Sequence, residues 1–202
     1  MPSTKTLTPS RRDAHKSRTS RALREAALQL FATQGYDTTT TEEIAEKAGV
    51  AARTFFRYFP TKESVLNIGE QASIDAIAAE FLAQPARLSD VDAMCAAFLS
   101  AASGFAKNRK YLLLYQRAIA SSTTLRGRQQ DHRREDDALL AKAVATRRGL
   151  GRPDESCVLL ATVAFLTLRR ALDRWLAGPA RADLGGAITE EFERLATLFA
   201  RK

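Results

Sequence analysis

The chain has 202 residues, 45% of them hydrophobic, with only 10 glycines and 6 prolines, so it can bury a core and is not a disordered polymer. Its formal net charge of +8 admits nucleic acid, an anionic membrane surface or an anionic ligand as partner, and by itself decides among none of them. Abundant alanine and leucine with few β-branched runs favour an all-α protein, and Cys95 and Cys157, far apart and with only His15 and His132 as histidines, leave no metal-ligand spacing.

The first stretch, residues 1–12, is polar, holds Pro2 and Pro9, and is expected to be disordered. Lys5, Arg11 and Arg12 make it basic, which suits either an arm on phosphates or a minor groove, or a plain solvated tail. It lacks the apolar core of a signal peptide. From Asp13 to Gln34 the pattern turns helical, with Leu23, Ala27, Leu30 and Phe31 on one stripe and Gly35 as the stop.

Thr40 stands three residues before Glu43, a capping box that starts a helix at Thr41. That helix runs to Ala48 before Gly49 breaks it, and small Ala45 and Ala48 would let another helix approach closely. The next helix spans Ala52–Phe59. At roughly 100° per residue, Arg53, Arg57, Thr54 and Tyr58 fall on one side, and Phe55, Phe59 and Ala52 on the other, with Phe56 at the boundary. The acids of the region, Glu42, Glu43 and Glu46, all lie on the preceding helix. Two short helices with a glycine turn and a cationic second face are what a helix-turn-helix reader of the major groove needs. Residues 1–62 carry 11 Lys/Arg against 6 Asp/Glu, so more than half of the excess charge gathers around this element.

Thr61 is expected to cap a long helix through Val65, Ile68, Ala72, Ile74, Ile77 and Phe81 to Ala83. Five more helices follow, at about 89–107, 109–120, 125–148, 154–177 and 184–200, broken by Gly149, Pro153, Gly178 and Pro179. The longest apolar run, Cys157–Leu168, is shorter than the ~18 residues of a membrane span. It is also richer in apolar surface than one core-facing stripe requires, which fits either a pairing face or a central core helix. The chain reads as soluble and cytoplasmic, with reduced thiols and no cofactor.

From Gly35 to Leu66 the chain reads GYDTTTTEEIAEKAGVAARTFFRYFPTKESVL and closely resembles the TetR family of bacterial transcriptional regulators. The wording TFFRYFP, with RRGLGRPDE later, is similar to the mycofactocin-regulator branch. The resemblance implies a three-helix DNA-binding domain at 13–60 and a six-helix ligand-binding and dimerisation domain at 61–202. It implies double-stranded DNA as partner, with Thr40, Ala52, Arg53, Thr54, Arg57, Tyr58 and Lys62 at the contact, the last two on the backbone. It implies a homodimer through about 154–177 and 187–200. It further implies a small-molecule effector, acyl-CoA-like in this branch, in a pocket lined from Met94, Phe98, Phe105, Tyr111, Tyr115, Gln116, Phe165 and Arg169. Leu139, Trp175, Arg117 and His132 are further candidates. The same aromatics fit a plain core, and His132, within DHRRED, fits a surface histidine. Two departures from the family pattern stand out. Ala51 occupies the usual Ser cap position, which forfeits roughly 1 kcal/mol. Phe56 stands where Tyr is common, so a hydroxyl-to-phosphate bond is absent. Both shift weight onto Arg53 and Arg57.

Other readings stay open from residues alone. A general helical nucleic-acid-binding protein without a ligand switch would share the charge and the helices. A lipid-surface protein would share the basic amphipathic helices, though the glycine-punctuated reader argues against it. No nucleophile elbow, phosphate loop or paired-carboxylate spacing supports an enzyme.

Overall fold

The computed structural model describes residues 11–66 and 74–199. Their regular structure is all helical: α1 Arg11–Gln34, α2 Thr41–Lys47, α3 Ala52–Tyr58, a 3-10 turn Glu63–Leu66, α4 Ile74–Ala83, α5 Asp90–Lys107, α6 Arg109–Ser121, α7 Thr123–Arg147, α8 Glu155–Ala177 and α9 Leu184–Phe199. Most expected ends fall within two residues of these. Residues 1–10 of the expected disordered tail lie outside the described residues, but Arg11 and Arg12 already belong to α1. The long helix expected from Thr61 starts differently, and its stretch 67–73, with Ile68 and Ala72, lies outside the described residues. Its start is a 3-10 turn, in which Ser64 N–H donates to Thr61 Oγ1 at 3.3 Å and Ser64 Oγ donates to Thr61 O at 2.6 Å. Helix proper is described only from Ile74. A side chain that bonds its own turn this way competes with α-helical propagation.

The described residues pack as two units. The first takes the chain up to 66 together with 114–125; the second takes 74–113 and 126–199. The first unit thus runs past residue 60 and takes in a segment from far along the chain. Within that unit Leu23, Ala27, Leu28 and Phe31 of α1, Ile44 and Ala45 of α2, and Phe55 and Phe59 around α3 close one core. Leu28, not Leu30, completes the α1 stripe. The late segment ties in by polar bonds: Ser121 Oγ donates to Phe31 O at 3.0 Å, and Ser122 Oγ both reaches Asp37 at 3.5 Å and accepts from Leu125 N–H at 3.2 Å.

In the second unit α5 lies against α4, α8 and α9. Its Met94 and Phe98 are fully buried, and Phe98 meets Phe165 of α8 at 6.2 Å and Phe192 of α9 at 6.0 Å between ring centres. Leu140 and Val144 bring α7 into the same core. Chain breaks are secured locally. Gly149, at φ +71°, lets Leu150 N–H reach Ala145 O at 2.9 Å and so ends α7. Asp154 caps α8 by accepting from Cys157 N–H at 2.9 Å, and the bonds from Ser156 and Cys157 lower its carboxyl to about 2. Two arginines act as staples across longer spans. Arg109 donates to the carbonyls of Trp175, Leu176 and Gly178 at 3.3, 3.0 and 2.7 Å, closing the end of α8. Arg147 donates to Phe81, Gln84, Pro85 and Leu88 carbonyls at 2.8–3.4 Å and lies 3.3 Å from Asp90. Cys157 is buried and Cys95 half-buried, and both are free thiols. No helix of the described residues is long and apolar enough to cross a membrane.

Candidate nucleic-acid interface

The reader is built from its turn outward. Thr40 Oγ1 accepts from Glu43 N–H at 3.2 Å while Glu43 Oε2 accepts from Thr40 N–H at 2.8 Å, the reciprocal box that opens α2. The bond from Thr40 N–H first, and then the one its hydroxyl donates to the same Oε2, hold the Glu43 carboxyl below its ordinary range. Gln34 Nε2 donates to the same carboxylate at 3.1 Å and ties the end of α1 to the start of α2. Gly49 then takes φ +69°, where a Cβ would be strained. Gly49 N–H reaches Glu46 O and Val50 N–H reaches Ala45 O, both at 2.9 Å, which stops α2 and aims the chain into α3.

α3 starts without a side-chain cap at Ala51, as its sequence implied. Phe55 is fully buried and Phe59, just past the helix, nearly so. They anchor one side by ring contact at 5.7 Å. Ala52, Arg53, Phe56 and Arg57 are exposed; Thr54 and Tyr58 are half-buried. Ala52 is thus corrected from the buried side to the open one, because the first residue of a short helix projects beyond the packed face. Arg53 and Arg57 form no ion pair among the described residues, and the Arg57 guanidinium stands 5.2 Å from the centre of the Tyr58 ring. Two unneutralised guanidiniums on a helix whose other side is locked in a core give a preformed cationic face.

Two of the expected contact residues are placed otherwise than the resemblance implied. Lys62 does not reach outward. Its ammonium donates to Tyr36 O at 2.8 Å and Thr39 O at 2.9 Å and lies 4.2 Å from the Tyr36 ring centre. It is an internal clamp that closes the end of the reader onto the turn before α2. The Thr40 hydroxyl also spends its proton internally, donating to Glu43 Oε2 at 3.1 Å.

The expected effector residues are divided between the two units. Met94, Phe98 and Phe105 are buried in the core of the second unit, with Phe165 half-buried against it. Trp175 is buried too, its Nε1 donating to Ala182 O at 2.9 Å beneath Arg109. Tyr111 belongs to the second unit, whereas Tyr115, Gln116 and Arg117 belong to the first. Arg169 is half-exposed beside Asp173 at 3.8 Å. His132 is exposed, 3.3 Å from Glu135. Periodicity identifies an inward face but cannot tell a packed core from a cavity wall, and these side chains are largely packed.

A groove of about 940 Å³ lies elsewhere, along α8 and α9, lined by Val163, Leu166, Arg170, Glu190, Glu191, Arg194, Leu195 and Leu198 among others. Of its lining, Leu166 and Leu198 are exposed at 52 and 79%, and Val158 and Leu159 earlier on α8 at 46 and 64%, far above what an inward stripe leaves open. Glu191 is buried at its floor. Burial works against its charge, but Arg170 at 3.1 Å, Arg174 at 2.7 Å and Arg194 at 3.5 Å outweigh that and hold the carboxyl below its ordinary value. Among the described residues no cluster of His, Cys, Asp and Glu could hold a metal ion.

Residues 23–67 match the family described as "Bacterial regulatory proteins, tetR family", and residues 88–200 match the "MftR C-terminal domain". The HTH-type transcriptional regulator TcmR of Streptomyces glaucescens is 30% identical over 173 residues, covering 82% of this chain and 76% of that protein. Among solved structures, FadR of Thermus thermophilus in complex with lauroyl-CoA is similar at 24% identity and a TM-score of 0.55, over 91% of this chain and 96% of that one. FadR of Bacillus halodurans, a fatty acid degradation regulator, gives 22% and 0.62 over 91% and 97%. The two structural likenesses bear on the fold; the sequence matches reach further, and they agree with a helix-turn-helix whose α3 presents a free cationic face. The chain belongs to the TetR family and is a DNA-binding transcriptional regulator.

Proposed function

We propose that the chain is a repressor that binds a palindromic operator as a symmetric dimer and lets go when a small lipophilic effector binds. The observation that carries the reading is the outer face of α3: Arg53 and Arg57 open and unneutralised, opposite a fully buried Phe55. An arginine fork matches the two major-groove acceptors of guanine. One such head spans few base pairs. Two heads about 34–36 Å apart would read successive major grooves, and a two-fold axis gives them inverted half-sites. The exposed Leu166 and Leu198 of the α8–α9 groove, with exposed Leu159 on the same α8, support pairing through these helices, since self-association would take that apolar surface out of water. Acyl-CoA thioesters are the first effector class to test, because the T. thermophilus regulator of like fold was solved with lauroyl-CoA.

The experiment is selection of an operator from random duplex DNA, with the mass of the complex measured and acyl-CoAs of graded chain length added. An inverted repeat bound by two chains and released by acyl-CoA supports the proposal. Uniform binding to any duplex would favour a general nucleic-acid binder. Release by another ligand class alone would remove the acyl-CoA assignment.

A further inference from the structure

Phe56 is the residue of α3 that neither the core nor the cationic chemistry uses. Its ring is 54% exposed, although Phe55 beside it is fully buried. A single exposed aromatic on a protein surface is ordinary. This one differs in its setting. It lies three residues after Arg53 and immediately before Arg57, on the open side of the helix proposed to enter the groove. Its ring is not loose: it meets Phe55 edge-on, 5.4 Å between centres and 81° between planes, so the anchored ring holds the exposed one.

The occupant follows from charge and polarity. Two open guanidiniums flanking the ring bring a polyanion to this face. On duplex DNA the apolar feature of a major-groove base edge is the thymine C5-methyl group, which phenylalanine contacts without a hydrogen bond. The Phe56 ring has no hydroxyl to offer a phosphate. We infer that Phe56 is a specificity-determining residue that reads a thymine methyl in each half-site, beside the bases or phosphates met by Arg53 and Arg57. This rests on the reading that α3 lies in the major groove.

The test uses the full chain and its selected operator, with deoxyuridine replacing thymidine one position at a time. For the natural protein, removing the methyl of that thymine in one half-site should weaken binding about 4-fold, the loss expected when a single methyl no longer leaves water. Phe56→Ala should bind the thymine and uracil operators equally, and Phe56→Leu should retain part of the preference. Because the ring is exposed, both variants should melt like the parent, so a binding change is not a folding change. Absence of any thymine whose methyl matters more to the natural protein than to Phe56→Ala overturns the inference alone. If no operator can be selected, or Arg53→Ala binds it as well as the parent does, the groove reading falls and this inference falls with it.

Discussion

The Lys62 ammonium lies 4.2 Å from the centre of the Tyr36 ring and donates to the carbonyl of that same tyrosine at 2.8 Å. With a further bond to Thr39 O, it joins residues 26 and 23 positions apart in the chain. The base of the DNA-reading head is thereby closed by a charge turned inward.

Lys62→Ala should therefore act on stability before it acts on DNA. Losing bonds from a charged donor to half-buried carbonyls should cost about 1.5–3 kcal/mol. Urea unfolding of the variant checks the cost. The slope of log affinity against log salt should stay that of the parent, since no phosphate contact is removed. A flattened slope with unchanged stability would return Lys62 to the DNA backbone.

Arg147 makes a comparable tie in the second unit, where its fork collects four carbonyls between Phe81 and Leu88 and its side chain is 9% exposed. Arg147→Met should destabilise by about 2–4 kcal/mol, because several acceptors lose a charged donor at once. Arg147→Lys should recover little of it, as a point charge cannot span four carbonyls. Denaturant midpoints of the three proteins settle the order.

Leu198→Glu places a carboxylate on the most exposed apolar residue of the α8–α9 face. The expected outcome is a folded monomer by light scattering, with operator affinity reduced by at least about 100-fold as the second head's contribution is lost. A dimeric mass with unchanged affinity would place pairing elsewhere.

Asp154 gives a pH prediction. Its folded value, about 2, lies below the ordinary 3.8 because Ser156 and Cys157 donate to the carboxylate. A depressed acid contributes stability above its unfolded value and loses it as pH falls through the folded one. The stability gap between the parent and Asp154→Ala should be constant from neutrality to about pH 4 and shrink between 3.8 and about 2. Thermal melts across that window measure it. A gap that widens on acidification would contradict the assignment.

What was legible in the sequence is what local physics decides. Thr40 and Glu43 sit one turn apart, so their box is a three-residue statement, and Gly49 follows from the turn it must make. The wheel separates Phe55 from Arg53 because both lie within two turns of one helix. The ties that close each unit were not legible. Lys62 to Tyr36, and Arg147 to the loop after Phe81, depend on segments that meet only in the fold, and a charged side chain looks the same in sequence whether it faces water or a carbonyl. The same limit explains Met94 and Phe98. Their spacing marks them as inward, and only packing tells that Phe98 is filled in by Phe165 and Phe192. The join of Ser121 to Phe31 spans 90 residues and leaves no local pattern at all.

Whether the open face of α3 reads bases is decided by Arg53→Ala. The measurement is affinity for the selected operator and for a scrambled duplex of equal length at one salt concentration. Operator binding should fall by about 1–3 kcal/mol, with relaxed preference at one base position, while binding to the scrambled duplex falls much less. An equal loss on both duplexes would contradict it and leave Arg53 holding only the phosphate backbone.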